Sequence, residues 1–267
     1  GSSFAIFADE SGSKSGAGSL DIVEKADVFK VVLPSIPESG DTTFNYILDP
    51  TGVIKSTEAE KYNGATFADG KTVYFANQPT TDSGAVSYSD TSDALTITNK
   101  STMAVDVTVK ASIKAVDGIT MVENGTFDAS DTAAKLYLAL KDADTANAEK
   151  AITDDKAAEL TSTIQPLDGA YEIKYVDGKY VKQLKDDATG FKTYSFQITG
   201  ACNPKGAWNG LTENPPVIDV VWSVEDPTIT GPQISMNNSG LITMTGFTAE
   251  QNYASLAVID GEGTKWD

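Results

Sequence analysis

The stretch Val105-Asp106-Val107-Thr108-Val109-Lys110-Ala111-Ser112-Ile113-Lys114 alternates apolar and polar residues without a break. Successive side chains of an extended strand point to opposite faces. This spacing therefore puts Val105, Val107, Val109, Ala111 and Ile113 on one face and Asp106, Thr108, Lys110, Ser112 and Lys114 on the other. One face suits a core and the other suits water, which is the pattern of a long, half-buried antiparallel strand.

Working outward, the same reading makes Lys135 to Lys141 a strand with Leu136, Leu138 and Leu140 on one face. Val28 to Leu33 is rich in β-branched residues and stops at Pro34, and Thr43 to Leu48 stops at Asp49-Pro50. Asp69-Gly70 is a turn leading into Lys71 to Phe75. Tyr171 to Val176 and Lys179 to Lys182 flank Asp177-Gly178, the dipeptide favoured in a type I′ hairpin. Further strands are expected at Thr193 to Thr199 and Val217 to Val224. Two segments read as short helices: Ser56 to Tyr62, capped by Ser56 and stopped by Asn63-Gly64, and a capped turn from Thr153 through Ala157-Ala158-Glu159-Leu160.

Many short strands separated by turns, with no βαβ alternation, predict an all-β fold. The expected architecture is an antiparallel β-sandwich, jelly-roll-like, with one or two short helices in insertions. The small, polar residues 9–20 make 1–20 a flexible lead-in. Residues 21–225 form the main sandwich, and 226–267 form a small C-terminal β-module or its closing strands.

Charge and composition narrow the chemistry. With 38 acidic and 20 basic residues the formal net charge is -18, a field that repels phosphate backbones and anionic headgroups, so nucleic acid is excluded as an expected partner. Every basic residue is lysine, so the bidentate guanidinium fork is missing. Histidine is also absent, which removes the usual general base, the Ser-His-Asp and Cys-His pairs and the common zinc ligands. The single cysteine, Cys202, cannot form an internal disulfide and reads as a small apolar residue. No run reaches the roughly 18 apolar residues of a membrane span. The chain is expected not to be an enzyme.

Calcium is the one cofactor that so many oxygen ligands invite. Asp142, Asp144, Asn147 and Glu149 are spaced like part of a calcium loop, although without its central glycine or its terminal bidentate glutamate; a solvated loop is the alternative. For a ligand, the aromatic candidates are Trp208 with its neighbour Asn209, Tyr175 and Tyr180, since an aromatic face offers apolar area at little entropic cost. Trp222 sits in an apolar strand and reads as core. Trp208, in a Gly/Asn/Pro loop, reads either as an exposed contact or as a plug over the end of the sandwich.

The passages Tyr194 to Asn203, Ala207-Trp208-Asn209-Gly210-Leu211 and Val217 to Val224 together resemble the closing region of uncharacterised secreted and cell-surface β-sandwich proteins of Gram-positive gut bacteria. Trp208-Asn209-Gly210-Leu211 after a strand is also similar to the camelysin-related biofilm-matrix fibre proteins. A metalloprotease activity claimed for some of those relatives does not carry over, because this chain has no histidine. The resemblance implies an extracellular or cell-surface location and a structural or adhesive role without catalysis. The expected partners are other surface or matrix proteins or glycans, with self-association through strand edges. The alternative expectation is a carbohydrate-binding module or a glycoside hydrolase using two carboxylates about 5 to 10 Å apart.

Overall fold

The structure, a computed structural model, describes residues 4–10, 13–16, 20–23, 28–34, 44–54, 59–62, 64–144, 149–212, 214–225, 233–237, 242–245, 253–260 and 265–266. Its strands are, in chain order, β1 (Phe4–Glu10), β2 (Ser13–Gly16), β3 (Leu20–Val23), β4 (Val28–Val32), β5 (Tyr46–Leu48), β6 (Thr66–Phe67), β7 (Val73–Asn77), β8 (Ser87–Ser89), β9 (Leu95–Asn99), β10 (Val105–Lys114) and β11 (Thr120–Met121). There follow β12 (Lys135–Asp142), β13 (Lys150–Ala151), β14 (Ala158–Ile164), β15 (Tyr171–Val176), β16 (Lys179–Leu184), β17 (Thr193–Cys202), β18 (Val217–Glu225), β19 (Gln233–Asn237), β20 (Ile242–Thr245), β21 (Tyr253–Asp260) and β22 (Lys265–Trp266).

These strands build an all-β fold of open sheets, antiparallel but for the β11–β12 and β6–β8 pairs. One large sheet has the order β11-β12-β17-β9-β4-β1-β21-β22 with β13 also on β12, and a second has the order β14-β10-β18-β19-β20. A smaller sheet, β5-β7-β8-β6, and two hairpins, β2-β3 and β15-β16, complete the set. β1 pairs with both β4 and β21, and β19 pairs with β18, so strands near both ends of the chain enter the large sheets.

The two large sheets face each other because their strands alternate as an antiparallel sandwich requires. From one come Val105, Val107, Val109 and Ala111 of β10, with Ile218, Val220, Trp222 and Val224 of β18; all are buried, and Ile113 is partly so. From the other come Leu136, Leu138 and Leu140 of β12, Phe196 and Ile198 of β17, Ile97 of β9 and Val31 of β4, in the same continuous core. The Trp222 ring lies 5.8 Å from that of Phe196 across the interface. Lys110 and Lys114 of β10 face solvent, as the alternation predicts.

The expected helix after Thr153 is not formed. Thr153 and Lys156 close a tight bridge, and Ala158–Ile164 is strand β14, paired with β10 from Val105↔Ile164 to Ala111↔Ala158. Ala158, Leu160 and Ile164 are buried while Glu159, Thr161 and Thr163 are exposed, a period of two that overrides the helix preference of Ala, Glu and Leu. Ser56 and Asn63, expected to bound the other helix, lie outside the described residues, and a single 3-10 turn is described between them, Ala59–Tyr62.

A polar staple crosses the core. Asn99, fully buried on β9, donates its side-chain amide to the carbonyls of Met103 and Ile164, each at 2.9 Å, and its Oδ1 accepts the Ser101 N–H at 2.9 Å. The next residues then run beside β4: Lys100 N–H donates to Lys30 O, Thr102 N–H to Val28 O, and Ser101 Oγ accepts from Lys30 N–H. Asn99 thus ties the larger sheet to the end of β14 in the smaller one. Asn99→Ala would strand the buried carbonyl of Ile164 and the part-buried one of Met103, and is expected to cost roughly 2 to 4 kcal/mol in denaturant unfolding. Trp222 is the converse case, since its indole N–H is buried with no partner among the described residues. Trp222→Phe is therefore expected to cost under about 2 kcal/mol, against about 3 to 5 for Trp222→Ala, measured the same way.

Candidate functional site

The β15–β16 hairpin stands apart from the large sheets as a two-stranded ribbon. Its turn is Asp177-Gly178, with φ of 51° and 79°, the left-handed pair that a two-residue type I′ turn needs. Asp177 is the one non-glycine residue with positive φ among the described residues, a conformation that aspartate tolerates better than most. The register follows: Val176 opposes Lys179 and Tyr175 opposes Tyr180.

That register puts Tyr171, Ile173 and Tyr175 on the same face as Leu184, Lys182 and Tyr180. Tyr175 and Tyr180 are 65% and 53% exposed, with ring centroids 5.0 Å apart and planes inclined at 60°. Ile173 is 53% exposed beside them. At the root, the Tyr171 hydroxyl donates to Lys100 O, and Lys185 N–H donates to Ala170 O at 2.8 Å. Tyr175 and Tyr180 are thus brought together by the fold and offered to solvent on an anchored arm.

The other candidates are placed differently. Trp208 is buried, 6% exposed, and its indole N–H donates to Asn203 O at 2.6 Å, so it plugs the end of the sandwich and presents no open face. Asn203 is itself buried, its amide donating to Asp131 O and Ala133 O and its Oδ1 accepting from Lys205 N–H. Gly206 makes room for the plug: a Cβ there would come within 2.6 Å of Trp208 Nε1 and 2.8 Å of Ala133 O. Asn209 is exposed on the turn closed by Leu211 N–H to Trp208 O, separate from the tyrosine pair in sequence and structure.

Of the calcium-loop candidates, Asn147 lies outside the described residues. Asp142 accepts the Tyr194 hydroxyl, and Glu149 accepts the Tyr137 hydroxyl at 2.5 Å. Tyr137 and Asp142 are five apart on β12, so they point to opposite faces of that strand. Asp144 is exposed. Among the described residues no group of three or more His, Cys, Asp or Glu side chains is arranged to hold a metal ion.

An aromatic group that the sequence reading does not single out forms on the small sheet. Phe67 stacks on Tyr88 at 4.5 Å and 7°, with Tyr62 and Tyr74 edge-on to Phe67 at 5.3 and 5.1 Å. These residues are scattered along the chain, so no local pattern announces the cluster; Tyr74 is buried, and the rings serve as the small sheet's own core.

Cys202 is buried, with its thiol donating to Thr72 O and its N–H to Thr72 Oγ1. Burial pushes the thiol from 9.0 up to about 12. Burial likewise raises Tyr46, Tyr194 and Tyr137, the last two also through Asp142 and Glu149.

The fold and this surface define a class: an antiparallel β-sandwich carrying an exposed tyrosine hairpin. No family model matches the chain, and no curated protein is significantly similar to it. Among solved structures, the NetB toxin of Clostridium perfringens in its membrane-inserted form is aligned at 10% identity over 96% of each chain with a TM-score of 0.10, too low to bear on fold or function.

The raised thiol and phenol groups fix the sign of an alkaline effect. Their contribution to stability is full below the unfolded values and is lost as pH rises towards the folded ones. Stability is expected to begin falling near pH 9 in the wild type and only near about pH 10 in Cys202→Ala, read from unfolding midpoints against pH. A thiol reagent should label Cys202 no faster than the chain unfolds.

Proposed function

We propose that this chain is a non-catalytic structural or adhesive protein of the cell surface that contacts its partner through the β15–β16 hairpin. The observation that carries the reading is the Tyr175–Tyr180 pair, held in fixed register and more than half exposed. Large, stiff aromatic side chains already out of water's reach on one edge and open on the other are what adhesive contacts favour, because little side-chain entropy is lost on docking. The lysines of the arm support the same role. Residues 171–185 hold Lys174, Lys179, Lys182 and Lys185 against Glu172 and Asp177, so the arm approaches a partner with less repulsion than the acidic remainder of the chain would meet.

The non-catalytic part of the reading is supported by side chains already engaged in structure. The buried carboxylate Asp49 accepts the N–H groups of Val53 and Ile54, and Asp142 and Glu149 each accept a tyrosine hydroxyl. The surface location rests on the resemblance of residues 194–224 to secreted sandwich proteins alone.

A second reading, carbohydrate binding, is favoured by the same tyrosines, since a sugar ring can stack on either exposed face. Wild type and the Tyr175→Ala/Tyr180→Ala variant, applied to a broad glycan panel and to immobilised matrix proteins, separate the two. Retention on matrix proteins that falls about tenfold or more in the variant supports adhesion. Retention on defined glycans supports carbohydrate binding, and binding indifferent to the two tyrosines overturns both.

A further inference from the structure

Strand β14 ends the five-stranded sheet, and its outer edge pairs with no strand among the described residues. With seven residues it is the longest strand at the edge of a described sheet. An unpaired edge presents a row of N–H and C=O groups ready to accept another strand, and folds blunt such edges with lysine, proline, bulges or very short strands. Several other edges carry these devices: β11 and β13 have two residues each, while β15 and β16 carry Lys174, Lys179 and Lys182; β20 and β3 carry no lysine or proline but have only four residues. β14 has none of them, and its pairing with β10 runs without a register shift.

We propose that a second copy of this chain docks on β14, the two strands pairing antiparallel about a two-fold axis at Thr161 and joining the five-stranded sheets of both copies. Charge permits this occupant, and the self-complementary register of β14 selects it. Copies of a chain with net charge -18 repel one another, so they can meet only where the field is locally cancelled. On β14 the sole charge, Glu159, is paired with Lys110 at 3.4 Å, and the neighbouring Asp106 accepts the Thr163 hydroxyl at 2.8 Å. The register that pairs all seven residues sets Ala158 against Ile164, Glu159 against Thr163, Leu160 against Ser162 and Thr161 against itself. No like charges oppose, the apolar positions stay on the core face, and threonine meets threonine, a favourable cross-strand pair.

This contact is independent of the tyrosine hairpin, so Tyr175→Ala/Tyr180→Ala leaves it intact. Sedimentation of the full chain is expected to show a dimer that tightens as salt screens the overall repulsion. Thr161→Lys, at an exposed position, places two ammonium groups face to face and should weaken dimerisation on the order of tenfold while leaving the thermal midpoint of the monomer unchanged. Thr161→Cys should yield a covalent dimer on mild oxidation, since directly opposed residues lie within disulfide reach, whereas wild type, with Cys202 buried, should not. A chain that stays monomeric at every concentration and salt, as it would if the edge served a foreign strand, overturns the proposal. So does a Thr161→Lys dimer as tight as wild type, or a Thr161→Cys chain that fails to crosslink; the last decides the matter should Thr161→Lys not fold.

Discussion

The contact between the two large sheets, centred on Trp222 of β18 against Phe196 of β17, is the constraint on which the rest of the molecule depends. Neither sheet can bury its apolar face alone, and each supplies side chains at every second position along its central strands. A one-residue slip in β10 or β18 would turn every one of those side chains to water, so the facing sheets fix the register of both. Asn99 makes the arrangement specific by joining β9 to the end of β14 through hydrogen bonds that only this alignment satisfies.

How much of this was legible in the sequence depends on whether the deciding interaction is local. The alternation of β10 and the Asp177-Gly178 hairpin are local, since each residue's face or φ follows from its immediate neighbours, and both appear where the sequence places them. β14 is not. Ala158-Glu159-Leu160 carries good helix formers, and only pairing with β10, some fifty positions earlier, makes it a strand. Trp208 was ambiguous for the same reason. Its loop composition suits exposure, and the plug is revealed only by Asn203 reaching the carbonyls of Asp131 and Ala133.

The candidate site was legible in its tyrosines and opaque in its acids. Tyr175 and Tyr180 flank a two-residue turn symmetrically, so their proximity is a geometric consequence of the hairpin. The acids from Asp142 to Glu149 looked equivalent along the chain, yet the pleat of β12 sends Asp142 and Tyr137, the partner of Glu149, to opposite faces. A spacing rule drawn from a loop cannot foresee which of its members a neighbouring strand will claim.

The root of the hairpin also determines how mechanical load would travel through the molecule. A force applied at Tyr175 and Tyr180 runs down both strands and on through the backbone, from β15 back to β14 in one sheet and from β16 on to β17 in the other, with the Tyr171 hydroxyl on Lys100 O as a side tie. Beyond that tie, Lys100 and Thr102 bond to β4, and Asn99 bonds to the end of β14. Tension at the tip is therefore divided between the two halves of the sandwich. An arm rooted in this way loads both sheets at once.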